Sequence, residues 1–160
     1  MTRFPTGLAH LIPADLTGSI EGIAVRPKRR EAVELVNTWD LTTRADHSRS
    51  KKRAVTLISE AHVHAVAALL QQPDLEWSNT RRNLLVRGVN VNALRGRRFR
   101  IGDEVVLEGT QACHPCSRMV EVFGPRGYAA MMGMGGLCAA IIRPGTITIG
   151  DTIELLPDTD

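Results

Sequence analysis

The sequence predicts a mainly β fold: a closed or partly open β-barrel of short mixed strands with two or three short helices. Three observations carry that reading. Short apolar/polar alternations recur along the chain, roughly seven to nine of them, each bounded by glycine, proline or charged residues. Strands and helices do not alternate regularly, which argues against a doubly wound parallel sheet. The 160 residues, 43% hydrophobic and 23% charged, have the size and composition of one globular domain with its own core.

Residues 1–17 read as an N-terminal arm, punctuated by Pro5, Gly7 and Pro13. A single domain is expected over 18–156, with 157–160 as a short tail. From Gly18, SIEGIAV alternates through Ile20, Gly22 and Ala24, as a strand does. Arg26 to Arg30 forms a turn, and AVELVNTWDL from Ala32 reads as a second strand. Thr42 to Lys52 is polar and basic, a loop carrying Asp46 and His47. Arg53 to Ile58 is a β-branched strand. Ser59 is placed to cap the helix EAHVHAVAALLQQ, which Pro73 stops. NLLVRGVNV reads as a strand with a bend at Ala93-Leu94.

Two segments resemble each other: FRIGDEVVL at Phe99–Leu107 and ITIGDTIEL at Ile147–Leu155. Their Gly-Asp pairs suit a bulge or turn leading into a strand. Similar local geometry and a true internal duplication account for the likeness equally well. Ser117 to Phe123 has helical spacing, Gly124-Pro125 breaks it, and YAAMMGMGG reads as a further short helix ending in glycines. LCAAII and ITIGDTIEL are strands joined by the Pro144-Gly145 turn.

Apolar runs stop well short of the ~20 residues of a membrane span, and the N-terminus lacks the apolar stretch of a signal peptide. A cytoplasmic protein is the expectation. Three cysteines in such a chain do not make a disulfide framework. Charge is uneven: residues 1–100 hold 17 basic and 9 acidic groups, net +8, and residues 101–160 hold 3 and 8, net −5. Seventeen of the 20 cations are arginine, the residue suited to bidentate phosphate or carboxylate contacts. Two Trp, three Phe and one Tyr offer few stacking platforms, which argues against single-stranded nucleic acid as a partner.

Cys113-His114-Pro115-Cys116 is the most chemically loaded stretch. A structural zinc site needs a second ligand pair, and none stands at suitable spacing. A thioredoxin-like motif needs a βαβ context. A reactive cysteine fits best at Cys116, directly before a helical segment and near Arg118, where a thiolate is favoured; a buried inert cysteine is the plain alternative. Cys138, in LCAAII, is expected to be a small buried hydrophobe. Arg81-Arg82-Asn83 leads into a strand. Alternation would put Arg81 and Asn83 on one face, able to grip a phosphate, with Arg82 turned to solvent. The loop pair Asp46-His47 is a weaker candidate for metal binding or proton donation, and the basic loop around it is expected to close over the Cys116 cleft. His62 and His64, two apart on a helix, cannot chelate together.

Taken together, these pieces resemble the MOSC family, the domain named after the C-terminal part of molybdenum-cofactor sulfurases. The resemblance runs from Gly18 to Leu155 and rests on ADH in the loop, RAVTLISEAH, RRNLLVRGVNVNALRGRRFRIGDEVVLEGTQACHPC and MGMGGLCAAIIRPGTITIGDTIEL. It implies a barrel-like fold around a cleft and a molybdenum cofactor. The family's reactive cysteine falls on Cys116, which would ligate molybdenum or carry sulfur. The family's Arg and Asn fall on Arg81 and Asn83, which would hold the pterin phosphate or the substrate, and its Asp-His on Asp46 and His47; Arg118 stands beside the cysteine. The chain is expected to be the small stand-alone type, without the pyridoxal-phosphate desulfurase or ferredoxin domains of larger members. The function implied is sulfur transfer or reduction of N-hydroxylated small molecules, with an electron-transfer or cysteine-desulfurase partner protein. A non-catalytic cofactor or sulfur carrier is the alternative.

Overall fold

The structure, a computed structural model, describes residues 8–27, 32–42 and 51–158. Asp46, His47 and most of the basic loop, on which the expected closure rests, lie outside the described residues. Among the described residues ten strands are present: β1 Thr17–Val25, β2 Glu34–Val36, β3 Thr38–Asp40, β4 Val55–Ser59, β5 Leu84–Arg87, β6 Arg98–Ile101, β7 Val105–Ala112, β8 Leu137–Arg143, β9 Thr146–Thr148 and β10 Thr152–Leu155. Three α-helices accompany them: α1 Glu60–Leu70, α2 Arg118–Phe123 and α3 Gly127–Met131.

Strands run in the order β10-β6-β7-β8-β4-β5-β1-β2, and β10 pairs back onto β1. Seven strands thus close a mixed barrel, with β2 added beyond the closure. Closure depends on the length of β1. Its start, Thr17–Ser19, pairs β10; its middle pairs β5; its end, Ile23–Val25, pairs β2. Among these strands, β4 and β5 alone pair in parallel, and a parallel pair needs a long crossover; α1 supplies it.

The segment read as one strand from Ala32 is two. The chain breaks at Asn37, so that β2 stays on β1 while β3 joins β9 in a separate ribbon. The two Gly-Asp motifs are both turns with positive φ at glycine: Gly102 (φ 62°) inside the β6–β7 hairpin and Gly150 (φ 94°) between β9 and β10. Left-handed backbone suits a residue without Cβ. Asp151 completes its turn by accepting the Thr148 N–H at 2.8 Å.

Two apolar cores result. Leu57, Leu84, Val86, Phe99, Ile101, Leu107, Leu137 and Ile153 fill the barrel. Ile58 and Leu85 point outward beneath α1 (Val63, Val66), α2 (Met119, Phe123) and α3 (Ala130, Met131). All five residues of β4 are buried, because that strand serves both cores. The second core fixes the helices that follow Cys116 against the barrel wall. Ser59 precedes α1, yet its hydroxyl makes no cap bond. It donates to the Val89 carbonyl at 2.8 Å and accepts the Val91 N–H at 2.9 Å, tying β4 to the turn after β5.

Several arginines form surface ion pairs: Arg87 with Glu60 and Glu21, Arg97 with Asp158, Arg98 with Glu108, Arg100 with Glu154. Among the described residues no helix is long and apolar enough to cross a membrane.

Candidate functional site

The Cys113–Cys116 segment leaves the end of β7 and enters α2. The Cys113 N–H donates to the Gly136 carbonyl at 2.8 Å, one rung beyond the β7–β8 ladder. Cys116 is exposed, and its carbonyl accepts the Met119 N–H at 2.9 Å. Met119 and Phe123, buried in the second core, hold α2 and so present the Cys116 side chain to solvent.

Arg81 faces the same region. Burial holds its guanidinium below the usual arginine range, the nearby charges of Arg26 and Arg118 act the same way, and Cys116 opposes them. Guanidinium groups from the end of β1 and the start of α2 therefore stand near Arg81, which also senses Cys116. Arg118 also lies 3.4 Å from Glu121. Arg26 was not foreseen in this role, because only the folding of β1 beside β5 brings it there.

The expected alternation across Arg81-Arg82-Asn83 fails. β5 begins only at Leu84, and Arg81 adopts left-handed backbone (φ 64°, ψ 19°). That reversal turns Arg82 inward rather than to solvent. It is 8% exposed, its Nε donates to the Gly135 carbonyl at 2.6 Å, and its Nη1 donates to the Thr80 carbonyl at 3.0 Å. Its Nη2 is buried with no hydrogen-bond partner among the described residues. Asn83 does not share a cleft face with Arg81 either. Its Oδ1 accepts from the Thr56 N–H (3.0 Å) and hydroxyl (3.1 Å), and its Nδ2 donates to the Ala24 carbonyl (3.0 Å). That amide knits β1 to β4.

Cys113 is electrostatically distinctive. A hydrogen bond with the Cys138 thiol lowers its pKa well below the ordinary thiol value; burial opposes this, while Arg82, Arg53 and His114 reinforce it. The same bond, with burial, drives the buried Cys138 thiol the other way. Sequence spacing carried no sign of this pairing, since it depends on the β7–β8 register.

Among the described residues no group of three or more His, Cys, Asp or Glu side chains is placed to hold a metal ion. His62 is half-buried and His64 exposed on α1.

Solved structures share this architecture. The YuaD protein of Bacillus subtilis superposes with a TM-score of 0.77 at 18% identity, over 88% of this chain and 96% of that one. YiiM from Geobacillus stearothermophilus gives 0.68 at 15% identity, over 91% and 76%. YiiM from Escherichia coli gives 0.67 at 19% identity, over 89% and 71%. At these identities the likeness establishes the fold. No curated protein matches the sequence. Residues 44–154 match the family model of the MOSC domain, a stretch covering more than half of the chain and reaching from before β4 into β10, and the chain belongs to the MOSC domain family.

Proposed function

We propose that this chain binds molybdenum cofactor and acts through Cys116 in sulfur transfer or in the reduction of N-hydroxylated small molecules. The observation that carries the reading is the exposed Cys116 thiol near Arg81, whose guanidinium also feels the charges of Arg26 and Arg118. The donor set fits such a group. A thiolate is a soft ligand suited to molybdenum or to bound sulfur, and arginine is suited to the pterin phosphate. A metal here would take one thiolate from the chain and its remaining ligands from the cofactor.

When bound, the cofactor would supply two-electron redox chemistry at the metal. The protein's part is positional. Arg81 and Arg118 would hold the anionic end, and Cys116 would fix the metal or carry the sulfur. Arg26 would add charge from the end of β1, and Asn83 would keep β1 and β4 in register beneath Arg81. Asp46 and His47 enter this proposal from the family pattern alone, and an electron-donating or sulfur-donating protein completes it.

Metal analysis of protein made in a molybdenum-replete host tests the proposal. Molybdenum near one equivalent, lost in Cys116→Ala, supports it. No molybdenum and no protein-bound sulfur in the wild type would overturn it. Turnover with an electron donor separates the enzyme from a non-catalytic carrier, for which loading without turnover is the signature.

A further inference from the structure

We propose that Cys113 and Cys138 form a hydroperoxide-reactive dithiol, distinct from Cys116, in which Cys113 is the attacking sulfur and Cys138 resolves it to an internal disulfide.

The first support is register. Gln111 pairs with Cys138 and Ala112 with Leu137, and the Cys113 N–H bonds the Gly136 carbonyl. Cys113 therefore stands opposite Gly136, two residues along β8 from Cys138, on the same face. Diagonal neighbours on one sheet face stand about 7–8 Å apart at Cα, and the two thiols perturb each other's proton affinity in opposite directions. Cys113 lies just past the end of β7 at Ala112, so closing the bond asks for a small shift of that segment together with side-chain rotation.

The second support is the cationic wall. Arg82 is nine-tenths buried and places an unpartnered N–H near Cys113. Its guanidinium is fixed by the Gly135 and Thr80 carbonyls, so the charge cannot swing away. Glycine at 135 is what allows this approach: a Cβ there would strike the Cys113 carbonyl oxygen and stand 3.4 Å from Arg82 Nη2. Gly136 (φ 91°) is likewise pressed against the Leu57 carbonyl of β4.

The order of events follows from exposure and acidity. Cys113 is partly exposed and Cys138 is buried, so an oxidant meets Cys113 first. A thiolate beside fixed cations is the reactive form. The Cys113 thiolate attacks one peroxide oxygen, an S–O bond forms, the O–O bond breaks, and hydroxide leaves to become water with the Cys113 proton. Sulfur is oxidised to sulfenic acid and the peroxide is reduced. Cys138 then attacks the Cys113 sulfur, the S–S bond forms and the S–O bond breaks. The departing hydroxide takes the Cys138 proton as a second water. A dithiol reductant restores the pair by exchange.

The test uses the full-length reduced chain, exposed to hydrogen peroxide and mapped by mass spectrometry. The expected wild-type product is a Cys113–Cys138 linked peptide, reversed by dithiothreitol. In Cys116→Ser the intact mass should fall by about 2 Da. With Cys138 also changed to serine, oxidation should stop at Cys113, about 16 Da heavier and trapped by a sulfenic-acid reagent. Arg82→Lys should retain the rate and Arg82→Gln should slow it about tenfold, with circular dichroism confirming the fold of each. A link from Cys113 to Cys116, no link at all in folded wild type, or equally fast oxidation of folded Cys113→Ser would overturn the proposal. None of these outcomes depends on molybdenum loading.

Discussion

Asn83→Ala separates a fold role from a ligand role. The Asn83 amide accepts two hydrogen bonds from Thr56 and donates one to the Ala24 carbonyl. The residue is 5% exposed, as is Thr56. Truncation leaves a buried amide N–H and a buried carbonyl seeking partners. A buried group stripped of its partner costs about 1–3 kcal/mol, so losing these three bonds should cost roughly 3–5 kcal/mol. That is a large part of a typical stability of about 5–15 kcal/mol. With a urea slope near 2 kcal/mol/M, the unfolding midpoint should fall by about 2 M with the slope unchanged. Asn83→Asp should fail similarly, because a carboxylate can accept from Thr56 but cannot donate to Ala24. A loss below about 1 kcal/mol, accompanied by lost molybdenum in folded protein, would refute the structural assignment and return Asn83 to the ligand site.

Arg82→Ala strips both the Gly135 and Thr80 carbonyls of their donor, and chemical denaturation should show a loss of about 2–4 kcal/mol; a midpoint unchanged from wild type would mean that its burial is incidental. Ser59→Ala removes one hydroxyl that both donates to Val89 and accepts from Val91, and should cost about 2 kcal/mol without shortening α1, since the hydroxyl makes no cap bond there; amide exchange across residues 60–70 checks the second half of that statement. Alkylation read by peptide mapping should show Cys113 reacting at lower pH than an ordinary thiol. Its pKa is depressed, so thiolate persists as pH falls through the usual thiol range of about 8.5. Cys138, shifted the opposite way, should remain unlabelled until the protein unfolds.

Strand identity was legible wherever burial alternates. Ile20, Gly22 and Ala24 are all buried in β1, and the Ile153/Leu155 face of β10 is buried as well. Barrel closure was not legible, because Gly18 pairing with Ile153 is set by the summed twist and register of every strand between them. The break at Asn37 was hidden for a related reason: Leu35 and Trp39 carry the same period yet answer to different partners, Ala24 and Ile147. At the site, Cys116 and Arg118 are local to one another and were visible as a pair. Arg26, Arg82 and the Cys113–Cys138 contact depend on chain segments dozens of residues apart, and no short-range pattern encodes them.

The failure of alternation at Arg81 yields a sharper experiment than alternation itself offered. A residue at φ 64° sends its side chain and the next into different surroundings. Arg81 thus feels the charges of Arg26, Arg118 and Cys116, while Arg82 enters the interior near Cys113. Left-handed backbone costs an L-residue about 1 kcal/mol relative to glycine, so Arg81→Gly keeps the turn while deleting the charge. Stability should hold within about 1 kcal/mol of wild type, and Arg82 should stay buried. A charge-assisted contact to phosphate is worth about 1.5–3 kcal/mol, so affinity for a phosphorylated pterin should fall roughly 10- to 150-fold. Calorimetric titration beside urea denaturation reads both quantities on one sample. Unchanged affinity would remove Arg81 from the anion site, and a stability loss well above 1 kcal/mol would show that its guanidinium serves the fold instead.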